Sequence, residues 1–468
     1  MGKVVIKIVV SLIVGLASLF VIQAEKFEKV RLSPNFGNPL GRNIDNVDEK
    51  HDSALVLDNL AGGVVADMGA AIFVAPDNQV FVCGFSFNGE DADPVLLNIN
   101  TDGKLNPNFG KNGIVVIRKL NHTNLNSAES LYVRDQKIYL IGQDYLAKGF
   151  VLRFNYKGRL DRFFGTNGIV KIKAQNDQHT IVAPRKIYVD QNHNAYIAGN
   201  FVEFKPVIEK NSVDSYVNPF VLKLDQNGDF DKTFGSDGFL FLQIPLKEAT
   251  VTELLFDNHQ NILLGGHGIN SKSNHDIFIV KLSQDGNFDI AFADSGKVLF
   301  DYQGREDQYV SMCIDKNNNL YAAINTRQKH RDILVLKYTP EGYIDTSFGL
   351  NGMVIIDNIL GEKTDKTVSS IKVDDKGRIY IAGARFISDS DSQLIVGRID
   401  GKGGIDTSFG KNGFVVVDNI AGGKYADVAS SIDLDRNLNI FVTGFSAGKP
   451  PKTKKENLDL IVLKIQNI

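Results

Sequence analysis

The chain has 468 residues, a net charge of −3 and 23% charged residues, with 43 glycines, 12 prolines, 2 cysteines and no tryptophan. This is the composition of a globular protein, and it excludes a disordered chain, a collagen-like chain and a disulfide scaffold. The mild acidity argues against a nucleic-acid partner, whose phosphates call for a basic face, and the missing tryptophan removes a ring on which lectins and WD-type repeats rely.

In chain order, residues 1–24 come first. Lys3 and Lys7 precede an apolar run from Ile8 to Ile22, and Ala24 stands before the charged Glu25. A secretory signal peptide is expected, with an uncleaved anchor as the alternative. The expected location is therefore secreted, periplasmic or extracellular. Residues 25–52 read as a linker and 53–468 as one domain. No later stretch reaches ~20 apolar residues, so no membrane span is expected after the leader. Cys83 in VFVCGF and Cys313 in VSMCID sit in alternating apolar runs and are expected to be buried single thiols.

One phrase then recurs through the chain. Its copies are DGKLNPNFGKNGIVVI (102–117), KGRLDRFFGTNGIVKI (157–172), NGDFDKTFGSDGFLFL (227–242), DGNFDIAFADSGKVLF (285–300), EGYIDTSFGLNGMVII (341–356) and KGGIDTSFGKNGFVVV (402–417), with a truncated LSPNFG at 32–37. Between copies lie paired alternating runs such as SSIKVDDKGRIYIAG (369–383) and SSIDLDRNLNIFVTG (430–444), each with a turn of Asp, Asn or Gly and a closing Gly or Ala. Each pair predicts a β-hairpin. A third run follows, as in LIVGRI (394–399) and LIVLKI (460–465), and the run after FGxxG makes a fourth. Four short strands per unit, without helical periodicity, predict a β-propeller blade. In the phrase itself, the glycines suit chain reversal and the Asp three residues before the Phe (Asp161, Asp231, Asp289, Asp345, Asp406) suits an Asx turn, so the expected role is structural.

The phrase G-x-[LIF]-D-x-[ST]-F-G-x-[ND]-G-x-[VL], followed by the hairpin, closely resembles the bacterial delta-60 repeat over residues 31–468. The departures are Asn106 and Pro107 in the second copy, FADSG at 292–296 and the reduced first copy. The resemblance implies a secreted or cell-surface propeller, and it brings no common activity or catalytic residue set.

Innermost strands are expected to begin near 70, 128, 184, 252, 310, 369 and 430, giving an all-β, seven-bladed propeller with four antiparallel strands per blade. The last blade lacks a fourth run of its own. SALVLD (53–58) is expected to supply it by pairing with the C-terminal strands, because DNLAGGVVADMGAAIFV after it matches DNIAGGKYADVASSIDL at 418–434.

One end of the ring reads as uniform. The other carries the varied loops 143–149, 200–219 and 445–459, and insertions gather on a binding face. Acids precede six of the seven innermost strands: Asp67, Asp177, Glu248, Asp307, Asp365 and Asp427. They are candidate ligand-binding residues, as an acidic collar for a cation or basic ligand; turn-forming Asp at a solvated edge is the structural alternative. His259, His267 and His275 fall at different ends of the fourth blade and cannot share one metal. DKNNN (315–319) and DRNLN (435–439) begin like a calcium loop but lack its later Gly and Glu. Lys449, Lys452, Lys454 and Lys455 read as a solvated basic loop. No GxSxG, HExxH, CxxC or Walker phrase occurs. The leading expectation is thus a monomeric, non-catalytic binding scaffold for another protein or an envelope component, with no cofactor and no metal. The rival is a hydrolase or lactonase with a divalent ion in the channel.

Overall fold

The computed structural model describes residues 52–466 apart from 64–65, 101, 121–122, 174–179, 208–211 and 449–456. The expected leader, the linker up to residue 51 and Asp177 lie outside the described residues, as does most of the lysine loop. Every regular element among the described residues is a β-strand. They form sheets in a propeller-like arrangement, mostly of four antiparallel strands in sequence order, and a parallel bridge between Ser392 and Ala426 joins the sixth and seventh repeats into one eight-stranded sheet.

The hairpin turns follow from the Asp that opens them. Asp190, Asp257, Asp315, Asp374 and Asp435 each accept the amides two and four residues on, at 2.8–2.9 Å. These are Asx turns, which use the side-chain oxygen that a calcium loop would need.

The recurring phrase joins neighbouring sheets. Its Phe residues, Phe109, Phe164, Phe234, Phe292, Phe348 and Phe409, are all buried. The residue after the Phe donates its amide to the next copy: Gly110 to Lys157 O, Gly165 to Asn227 O, Ala293 to Glu341 O and Gly349 to Lys402 O, at 2.7–2.9 Å. The Asp of the phrase closes its Asx turn and pairs with a cation of the third strand, as in Arg153–Asp161, Lys223–Asp231 and Arg398–Asp406. Both cysteines are free and buried.

Two features position the site. First, Asp52–Leu57 pairs antiparallel with Asn457–Ile465, one residue from the expected span. Leu55 and Ile72 share a core with Phe441, Leu460 and Val462, and the amide of Val74 reaches Asp433 Oδ2 at 2.8 Å. Second, every first strand carries a bulge. These strands are Asp67–Val74, Thr123–Arg134, Thr180–Val189, Lys247–Phe256, Glu306–Ile314, Lys366–Val373 and Gly422–Leu434. At the bulge common to all seven, the residues left unpaired with the second strand are Ala70, Glu129, Arg185, Thr252, Tyr309, Ser369 and Ser430.

The glycine that closes each predicted hairpin explains the bulge. Gly84, Gly142, Gly199, Gly266, Gly383 and Gly444 lie opposite it, and a Cβ on them would fall 1.9–2.5 Å from a main-chain carbonyl oxygen of the first strand. The fifth repeat reads Ala-Ala-Ile there, and Ile324 pairs with Val310 instead. A side chain in that place displaces the bulge by one residue, onto Tyr309, whose φ is +55°. A bulky residue held in that region is strained, a condition that concentrates at functional positions.

Candidate functional site

Because the bulges fall within one residue of a common level, the first strands present side chains from successive repeats to one another. Glu253 Oε2 accepts from the Ser311 hydroxyl at 3.0 Å and meets Lys186 Nζ at 3.5 Å, while its Oε1 accepts the Leu254 amide. Lys372 pairs with Asp433 at 3.2 Å. Although burial opposes it, the Glu253 carboxylate holds the Lys186 ammonium above its ordinary range, and Tyr309 adds to this. Asp433 does the same for Lys372, which also feels Glu253. These mutual effects link charges of the third, fourth, sixth and seventh repeats. Toward the hairpin turns the first strands carry a row of aromatic rings: Phe73, Tyr132, Tyr188 and Phe256 follow one another at centroid distances of 5.1, 5.0 and 3.9 Å.

At the end with the varied loops, the fourth and fifth repeats bring together residues that no sequence spacing linked. His275 Nδ1 lies 2.8 Å from Glu306 Oε2 and 3.2 Å from Gln308 Nε2. The shorter, charge-assisted contact makes Nδ1 the donor and leaves Nε2 as a basic atom. The ring of His267 is 5.8 Å away. Its Nδ1 accepts the strained Tyr309 amide at 3.4 Å, which places its proton on Nε2. Burial, then the nearby His275 and Arg185, pushes the His267 imidazole down to about 4, so it is neutral at pH 7. The Tyr309 hydroxyl donates to Ser369 O at 2.7 Å. Arg185 faces Glu129 at 3.9 Å. An imidazole oriented by a carboxylate, beside a neutral imidazole and a guanidinium, can move a proton and stabilise a developing oxyanion.

Of the acids expected as a collar, the five among the described residues form no group that could hold a metal ion, and four of them hold local partners. Asp67 accepts the amides of Asn59 and Leu60, Asp307 that of Tyr302, and Asp427 those of Asn419 and Ile420. All three are at most 1% exposed, and each ties down the loop that leads into its own first strand. Asp365 takes the Arg331 amide and guanidinium and faces His330. Glu248 is exposed at a positive φ of 51°. Among the described residues no group of three or more His, Cys, Asp or Glu could hold a metal ion, and His259 sits in the far turn against Asn318.

Asp307 gives a pH signature. Burial pushes its carboxyl up from 3.8 to about 6, with Asp301 and Asp276 adding repulsion. The unfolded chain ionises first, so this group lowers stability progressively as pH rises through the interval between those two values, and by a constant amount above it. Asp307→Asn is expected to gain about 1–3 kcal/mol at pH 8 and almost nothing at pH 4. Thermal melts of both proteins at the two pH values check this; equal melting at pH 8 contradicts it.

No protein-family model and no curated protein matches the sequence. Solved structures do resemble it at low identity. The polysaccharide lyase Uly1 matches with a TM-score of 0.49 and 10% identity over 87% of this chain and 91% of its own. The PL25 ulvan lyase gives 0.43 and 13% over 68% and 76%. The GH93 α-L-arabinofuranosidase of Fusarium graminearum, solved with arabinobiose, gives 0.44 and 10% over 72% and 92%. The expectation of a non-catalytic scaffold is corrected: the absence of a catalytic constellation, on which it stood, ends where His275 meets Glu306 beside His267 and Arg185. At these identities and scores, no activity, substrate or residue role passes from the neighbours to this chain.

Proposed function

We propose that the seven repeats close into a propeller ring of the delta-60 kind, and that the varied-loop mouth of its channel is the active site of a hydrolase acting on an ester or lactone carbonyl. The pairing of Asp52–Leu57 with the C-terminal strand, and the core shared by the first and last repeats, support the closure. The observation that carries the activity is the 2.8 Å contact between His275 Nδ1 and Glu306. His275 Nε2 takes a proton from water as the water oxygen bonds to the carbonyl carbon, and negative charge gathers on the carbonyl oxygen. His267 Nε2–H and the Arg185 guanidinium are the donors at hand for that oxygen. When the carbon–oxygen bond to the leaving group breaks, His275 returns the proton to the alkoxide and is restored. No step is assigned to a metal ion.

A double-mutant cycle tests the reading. His275→Asn is expected to lower kcat/KM by about 10²–10⁴ on an aryl ester or a δ-lactone, and Glu306→Gln by about tenfold or more. Residues acting as a unit are non-additive, so the double variant is expected to be no slower than His275→Asn alone. Fully additive losses, or an unaffected His275→Asn, would overturn it.

A further inference from the structure

Next to these imidazoles is a hollow of about 60 Å³. Thr250 lines it and pairs directly across the sheet with His267, so it opens beside the imidazole proposed as an oxyanion donor. Ile181, Ala183, Val202 and Val217 make its walls apolar. Val202 and Val217 belong to the hairpin arms Ala195–Val207 and Ser212–Leu224, at 13 residues each among the longest strands described.

The polar groups of the hollow are not equally available. Gln143 donates to Val182 O at 2.8 Å. Asn200 exchanges hydrogen bonds with the main chain of Val251 in both directions. Their amides are therefore committed to the scaffold. Arg185 is held only loosely, 3.9 Å from Glu129, whose other oxygen already accepts from Ser127. A guanidinium has five donors in a fork that fits a carboxylate.

We infer that the hollow is a subsite for a short aliphatic acyl group, its oxygen on Arg185 and its chain against Val202 and Val217. The inference deepens the hydrolase reading and rests on it. At about 15 Å³ per water-sized group the hollow admits only a few such groups, so the chain is short. Longer chains meet the hairpin wall. The product of hydrolysis, a short carboxylate, is the simplest ligand that carries both features.

The test is a titration of the full chain carrying His275→Asn with sodium butyrate and with sodium octanoate, followed by calorimetry. Saturable butyrate binding is expected, at least tenfold tighter than octanoate. Binding is expected to weaken at least tenfold in Arg185→Met and in Val202→Phe, each checked for an unchanged melting temperature. Absence of saturable butyrate binding, or binding that ignores both substitutions, overturns the subsite. Butyrate binding as described, in a protein whose unsubstituted form hydrolyses no ester or lactone, leaves the carboxylate site standing and removes the catalytic reading alone.

Discussion

Removing residues 458–468 is expected to abolish cooperative folding of the whole chain. The strand they contain pairs on one side with Ile440–Gly448 and on the other with Asp52–Leu57. Its Leu460, Ile461, Val462, Leu463 and Ile465 are at most 1% exposed. At about 1.5–3 kcal/mol for each buried aliphatic side chain, their loss amounts to about 8–15 kcal/mol, as large as the whole stability of a typical domain. Truncation also leaves two unpaired strand edges in place of a closed sheet. Far-UV circular dichroism on heating, with size-exclusion chromatography, is the check. A soluble truncated chain with an unchanged melting curve would refute both the prediction and the ring closure behind it.

Gly383→Ala is expected to cost about 3–5 kcal/mol, near the top of what single substitutions do. The added Cβ would lie 1.9 Å from Thr367 O and 3.0 Å from Val368 Cα. Both are main-chain atoms beside the bulge at Ser369, so no side chain can rotate to relieve the clash. The sixth strand pair would have to move its bulge, as Ile324 has forced the fifth to do. Gly401→Ala is the control: its Cβ meets nothing closer than 3.4 Å, and a change within about 0.5 kcal/mol is expected. Urea unfolding of the two variants gives the comparison, and equal midpoints would show that the glycine is not what permits the bulge.

The repeats were legible because they obey local rules. The Asp-opened turns, the alternating strands and the FG phrase each satisfy their hydrogen bonds within a few residues or with the next copy, so their letters recur. The glycine at the end of each hairpin was visible as a letter, but its cause lies across the sheet, in the bulge it faces. The break in that pattern at Ile324 was the available signal for the strained Tyr309. His267 and His275 were legible as histidines of the fourth blade, without their partners. Glu306 and Arg185, which give them chemistry, come from adjacent repeats at no fixed spacing. The acids illustrate the converse. The matching stretches 58–67 and 418–427 show Asp67 and Asp427 closing the same loop, and in the structure both are buried under the amides of that loop. A repeated acid at a repeated loop is first a loop anchor, and the residues that differ between repeats at the bulge level are where function is to be sought.

The most direct measurement is the hydrolysis of p-nitrophenyl butyrate and a δ-lactone by the intact chain, side by side with His275→Asn at matched melting temperature. Turnover by the unsubstituted chain that falls by about 10²–10⁴ in the variant is the expected result. Equal turnover in both proteins, or none in either, would contradict a hydrolytic site at the mouth of the channel.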